Sequence, residues 1–256
     1  MARKNKVAST ELVSVSVWEK QLKTDVGKQS AKIVLTGGNR ISIKGGSFKF
    51  KGADLGDKLN VVVLDFIHER TYYDTLYDKE NPSIPACYAL SSDLASAVPA
   101  ENAVKVQSKT CASCQHDQWG SSANKKSKSC GEHRLLALAS IDDLKTSPVG
   151  EVEVVLLSVP VTSGKNFDKF ALGVEKTMGR PTYGVICTIT FDTKADYETL
   201  IFKADNKIDD MDIASRIMYT LKQAAALLVA GYDPKGYVKA KLKLNKSSRK
   251  KSKFSK

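Results

Sequence analysis

Leu59-Asn60-Val61-Val62-Val63-Leu64-Asp65-Phe66-Ile67 is a nearly continuous apolar run rich in valine, the pattern of a strand at the centre of a sheet. Upstream, Lys32 to Leu35 and Arg40 to Ile43 flank Gly37-Gly38-Asn39, and Gly45-Gly46 precedes the alternating Phe48-Lys49-Phe50-Lys51. These are hairpin signals. The alternation Val13, Val15, Val17 adds a strand before them, and Pro85 to Leu90, Leu135 to Ala139, Val152 to Val159, Tyr183 to Phe191 and Tyr197 to Lys203 follow. About nine strands is the load of a sandwich or barrel. Two helices are expected: Asn166 to Met178, with Phe167, Phe170, Ala171 and Val174 on one face, and Asp210 to Ala230, ended by Gly231 and apolar enough to pack on the sheet.

The expected class is therefore mainly β (α+β), and a barrel, which removes exposed sheet edges, suits this strand content. The barrel most often met on single-stranded nucleic acid is the OB-fold. On the glycine-rich hairpin, Phe48 and Phe50 alternate with Lys49 and Lys51 and follow Lys44. Rings on one face would stack on bases while lysines reach phosphates. Alternation predicts equally well that both rings point inward and the lysines are solvated. A second cluster follows the central run: His68-Glu69-Arg70-Thr71-Tyr72-Tyr73, with Tyr77 beyond. Its tyrosines suit stacking and Arg70 a cation–π contact, or else they pack a strand rim; Asp74, Asp78 and Glu80 repel phosphate.

Cysteines carry the most specific chemistry. Cys111-Ala112-Ser113-Cys114 is followed by Cys130, a C-x2-C-x15-C spacing with which a chain wraps a tetrahedral zinc ion. The fourth ligand is open between Cys87, His133 and His116; an all-thiolate set is the common closed structural type, which favours Cys87. Cys187, inside Val185-Ile186-Cys187-Thr188-Ile189, reads as a core thiol. A four-ligand site has no open position for water, so its role is to fold the loop. Five cysteines in a chain without an apolar leader or an 18-residue apolar run point to a soluble cytoplasmic protein and away from a disulfide framework.

The net charge of +12 is concentrated: Lys239 to Lys256 hold eight lysines and one arginine without an acid, leaving +3 for the other 238 residues. This basic tail is expected to be disordered past Asn245 and to favour polyanions. A solubilising tail is the plainer alternative, and a membrane partner is disfavoured by the lack of an apolar face. The chain has no Walker loop, G-x-S-x-G, H-E-x-x-H, Rossmann fingerprint or deaminase H-x-E with P-C-x-x-C. A non-enzymatic binder is the expectation.

Phe48-Lys49-Phe50-Lys51-Gly52, Val61 to Ile67, Tyr72-Tyr73, Asn81 to Ala89, Cys111-x2-Cys114-x4-Trp119-Gly120-Ser121, Cys130 and Arg134-Leu135 together resemble the single-stranded DNA-binding proteins of bacteriophage replication modules. The likeness runs from about Ile41 to Phe202 and is most specific in its thiol order. It implies an OB-like core at residues 1–238 with a structural zinc loop inserted at about 87–134, Cys87 as fourth ligand, and a role coating strands in phage replication or recombination. Proteins of this class end in an acidic, partner-recruiting tail, whereas residues 239–256 here are basic. Expected contacts are Lys44, Lys49, Lys51 and Arg70 to phosphates and Tyr72, Tyr73 and Trp119 to bases, with a replication or transcription protein as a further partner. The rival readings are a polymerase-docking protein and a metal-dependent nuclease.

Overall fold

The computed structural model describes residues 39–75 and 84–232. The strands expected at Val13–Val17 and Lys32–Leu35, the segment 76–83 and the basic tail lie outside the described residues, as does the boundary at 238. Nine strands and three helices are formed among the described residues: β1 Arg40–Ile43, β2 Phe48–Phe50, β3 Ala53–Gly56, β4 Lys58–Tyr72, β5 Cys87–Ser91, β6 Cys130–Ser140, α1 Ile141–Thr146, β7 Val154–Val159, α2 Gly164–Met178, β8 Val185–Phe191, β9 Leu200–Lys207 and α3 Met211–Val229. They make one mixed sheet in the order β3-β2-β1-β7-β6-β4-β8-β9, with β5 also on β4. Among the described residues only β1 and β7 run parallel. The molecule is mainly β with few helices.

β4 is the spine of this sheet. Its apolar run is continuous because both faces are covered: Val61 and Val63 lie in a core with α2, whereas Val62 and Leu64 lie in a second core with α1 and α3. A bulge between Val63 and Asp65 inserts one residue and reverses the alternation. Phe66 therefore returns to the α2 side, its ring 4.9 Å from Phe167, and Ile67 joins the other core. One edge of β4 pairs with β6 from Val61 to Tyr72. The other edge is shared by β8 at Lys58–Val61 and β5 at His68–Tyr72. In the gap between them the buried Thr182 hydroxyl donates to the Val63 carbonyl at 3.0 Å. Thr182→Val is expected to cost about 1–3 kcal/mol, read by denaturant titration, because it strips that carbonyl of this donor.

The sheet curls into a half-barrel. Four strands separate β2 from β8, yet the Phe48 ring lies 4.6 Å from Phe191, and the Gly46 N–H donates to Glu198 Oε1 at 3.3 Å. Phe48 is fully buried there, so of the two readings of the hairpin the inward one describes this ring. No ladder joins the two ends of the sheet among the described residues.

The helices start and stop on local signals. Asp210 Oδ1 accepts from the N–H groups of Asp212 and Ile213 at 2.8 and 3.2 Å, an N-cap for α3. Gly179 closes α2 in the left-handed conformation (φ 64°). After α3, Gly231 (φ 71°) passes so close to Tyr88 that a Cβ would lie 2.3 Å from its hydroxyl. No helix among the described residues is long and apolar enough to cross a membrane.

Candidate functional site

The polar end of β4 organises everything the cysteines contribute. Tyr72 pairs with Cys87 on one side and with Cys130 on the other, and residues directly opposite in antiparallel strands share a face. Both thiols thus rise from the sheet on the side of Arg70 and Tyr72. Residues 92–129 fold over them and bring down Cys111 and Cys114, whose turn is closed by the Cys114 N–H donating to the Cys111 carbonyl at 3.1 Å. The four thiols, with Arg70, Tyr72, Gln107, His116 and Asp117, line one cavity of about 20 Å³.

All four are free thiols, and three of them are buried. Burial pushes the Cys87 and Cys111 thiols up; burial and then the Asp117 carboxylate push Cys130 up to about 12. As placed, no three His, Cys, Asp or Glu side chains among the described residues are gathered closely enough to hold an ion. The donor chemistry nevertheless suits zinc, since soft thiolates from four positions face one space of atomic size.

The structure separates the candidates for a fourth ligand. His133 pairs with Glu69, on the face opposite Cys130, and its Nδ1 lies 3.2 Å from the Val159 carbonyl. It cannot face the other thiols. His116 lines the cavity but stacks on Tyr72, centroid to centroid 3.9 Å, with Nε2 3.2 Å from Gln107 Oε1. Cys87 faces the same space as the other three cysteines.

Residues 92–129 have little apolar content of their own: the one small cluster beneath them is Ala89, Ala97 and Cys111. Polar contacts fasten them instead. Asp117, almost fully buried, is paired with Arg70 and with Lys128 at 3.0 Å, and Glu132 adds a second carboxylate 3.7 Å from Arg70. The outer edge of β5 is covered as well, because Ala100 and Lys105 N–H groups donate to the Tyr88 and Ala86 carbonyls, each at 2.8 Å.

This arrangement corrects one expected contact. Arg70 is buried and faces two carboxylates, so it is a structural cation and is not presented to a phosphate. A buried Asp117 needs it more than solvent can supply. Tyr72 is half-buried under His116. Lys49 pairs with Asp54 at 3.0 Å, and Lys51 pairs with Glu153 while lying 4.8 Å over the Phe50 ring. Lys44 is exposed, and Tyr73 is 46 % exposed.

Trp119 differs from all of these, at 78 % exposed. It stands on a small hairpin in which the Gly120 and Ser122 N–H groups donate to the Ser127 carbonyl at 3.1 and 3.2 Å, and Ser121 Oγ donates to the His116 carbonyl at 2.9 Å. Lys125 (φ 56°) and Lys126 form its exposed turn. These two lysines were not picked out from the sequence, although they follow Trp119 by only six and seven residues.

A second polar centre lies on the opposite face. Glu69, fully buried, receives hydrogen bonds from Ser158 Oγ (2.6 Å) and Tyr232 Oη (2.8 Å) and sits 2.9 Å from Arg40 Nη2. The Arg40 guanidinium also lies over the Tyr232 ring at 4.3 Å. Burial alone would raise the Glu69 carboxyl, but Arg40 and the two hydroxyl donors outweigh it and hold it below its ordinary range. Asn102 joins this centre to the thiol loop, bonding Tyr88 Oη and donating to the Tyr232 carbonyl at 3.2 Å.

No family model, curated protein or solved structure matches the chain.

Proposed function

We propose that the protein binds single-stranded DNA without sequence preference, in the phage replication or recombination setting that the resemblance implies, and that zinc held by Cys87, Cys111, Cys114 and Cys130 orders the loop that carries the contact. The observation behind this reading is Trp119, a tryptophan left bare on a hairpin with Lys125 and Lys126 beside it. An indole in that position stacks on any base, and ammonium groups beside it meet the flanking phosphates. Tyr73, Lys44 and Lys51, all exposed, are other expected contacts that remain accessible, Lys51 within a surface ion pair with Glu153. The closed ligand set gives zinc a structural role and no catalytic one. The curl of the sheet supports an OB-like barrel in the same reading, although here helices cover both faces.

Fluorescence titration with thymidine oligomers tests the proposal. Trp119→Ala should weaken binding roughly 5- to 150-fold, the worth of one stacked base, while leaving thermal stability unchanged, because the side chain is mostly in solvent. Deleting Lys246 to Lys256, which removes five lysines and Arg249, should flatten the plot of log affinity against log salt by up to about 4, at about 0.7 per neutralised phosphate. An unchanged slope would remove the basic segment from the interface. Capture of a polymerase that survives nuclease treatment would instead favour the docking protein, and magnesium-supported cleavage of labelled strands the nuclease.

A further inference from the structure

At the other end of β4, up to about 45 Å along the strand from Tyr72, the surface opens into a cleft of about 650 Å³ between α1 and β9. That volume lies within the usual range for ligand sites, about 300–1,000 Å³. Three elements each send one lysine into it: Lys58 from β4, Lys145 from α1 and Lys203 from β9. Lys203 is balanced by Asp205 at 3.1 Å. A second carboxylate, Asp142, lines the cleft as well, so three lysines face two acids there, and neither Lys58 nor Lys145 forms an ion pair among the described residues. The lining thus carries one net positive charge, and its two unpaired ammonium groups attract an anion.

The floor between the lysines is suited to more than a bare phosphate. Thr188 Oγ1 donates to Asp205 and lies 3.0 Å from Asn60 Oδ1, which fixes a row of hydrogen-bonding groups across the sheet. Ile186, partly exposed, lines the same cleft and offers a small apolar surface to a ring, while Ile141 beneath it belongs to the core. Ammonium, amide, hydroxyl and aliphatic groups in one cleft suit the phosphate, sugar and base of a polynucleotide. The cleft is shallow and open to solvent, so a chain can lie across it.

We infer that this cleft is a second contact for the strand, gripping phosphodiesters with Lys58, Lys145 and Lys203, separate from the Trp119 hairpin. The inference rests on the single-strand-binding reading above. It makes the occluded strand longer than the hairpin alone would cover.

The test compares three full-length proteins on a labelled thymidine oligomer of about 16 nucleotides across a salt series: wild type, K58A/K145A/K203A, and K165A/K169A/K176A, which removes the same charge from exposed positions on α2. Circular dichroism verifies that each is folded. The cleft variant should bind at least about tenfold more weakly at low salt, with its salt slope reduced by about 2, while the α2 variant changes the slope by less than about 0.7. Equal behaviour of the two variants, or an unchanged slope in the cleft variant, overturns the second contact and leaves single-strand binding intact. A wild type that ignores the oligomer overturns both.

Discussion

Stripped with a strong chelator, the purified protein is expected to release one zinc ion and, with it, the order of residues 92–129. Structural zinc bound by thiolates contributes on the order of 10 kcal/mol of apparent free energy, far more than the small cluster of Ala89, Ala97 and Cys111 can supply to that loop. Trypsin should then cut at Lys105, Lys109, Lys125 and Lys126, all exposed, while the two apolar cores of the sheet hold. Ligand identity is read from variants. Cys87→Ser should lower zinc retention as severely as Cys111→Ser, and His133→Ala should leave it unaltered, because that ring lies on the opposite face. Protein that carries no zinc by native mass spectrometry, yet resists trypsin across 92–129, would show that Arg70, Asp117 and Lys128 suffice to hold the loop.

Glu69→Ala should cost about 3–5 kcal/mol, the usual result of removing one partner of a buried ion pair, and a large part of the 5–15 kcal/mol typical of a whole domain. It strands the Arg40 guanidinium in the interior and leaves two hydroxyls, of Ser158 and Tyr232, without their acceptor. Glu69→Gln keeps the shape and separates lost charge from lost volume. The carboxyl titrates lower in the folded chain than its ordinary 4.5, so folding prefers the ionised form. Its contribution is complete above that value and disappears as the pH falls through the folded-state value. Urea midpoints taken from pH 7 downward should therefore fall for the wild type once the pH passes below about 4.5 and change less for Glu69→Gln. Parallel pH profiles for the two proteins would contradict the assignment.

Much of the sheet was legible because its causes are local. The run from Leu59 to Ile67 is apolar on consecutive residues since α2 covers one face and α1 and α3 the other, and both long helices carry their own terminators in Asp210, Gly179 and Gly231. The polar extension of β4 to Tyr72 was hidden, as nothing in His68-Glu69-Arg70-Thr71 announces partners that stand 29 residues upstream at Arg40 and 163 downstream at Tyr232. For the same reason Arg70 read as a surface cation: its mate Asp117 arrives through an irregular loop whose path no periodicity encodes. β3 is exposed at every position and the six-residue α1 completes fewer than two turns, so neither carries a readable pattern. The four thiols come to one cavity because two stand opposite Tyr72 on neighbouring strands and two on the loop that folds over them. The lysines of the cleft, drawn from three elements, left no trace in the sequence.

Tyr232 has a consequence that reaches past its own hydrogen bonds. Clamped by Glu69 on one side and by Asn102 of the thiol loop on another, it ties the residues after α3 to that loop. If the loop holds a strand as proposed, that strand would meet the cations that follow Tyr232 in the same chain at an effective concentration set by the connecting residues, free of the bulk dilution that a separate chain would face.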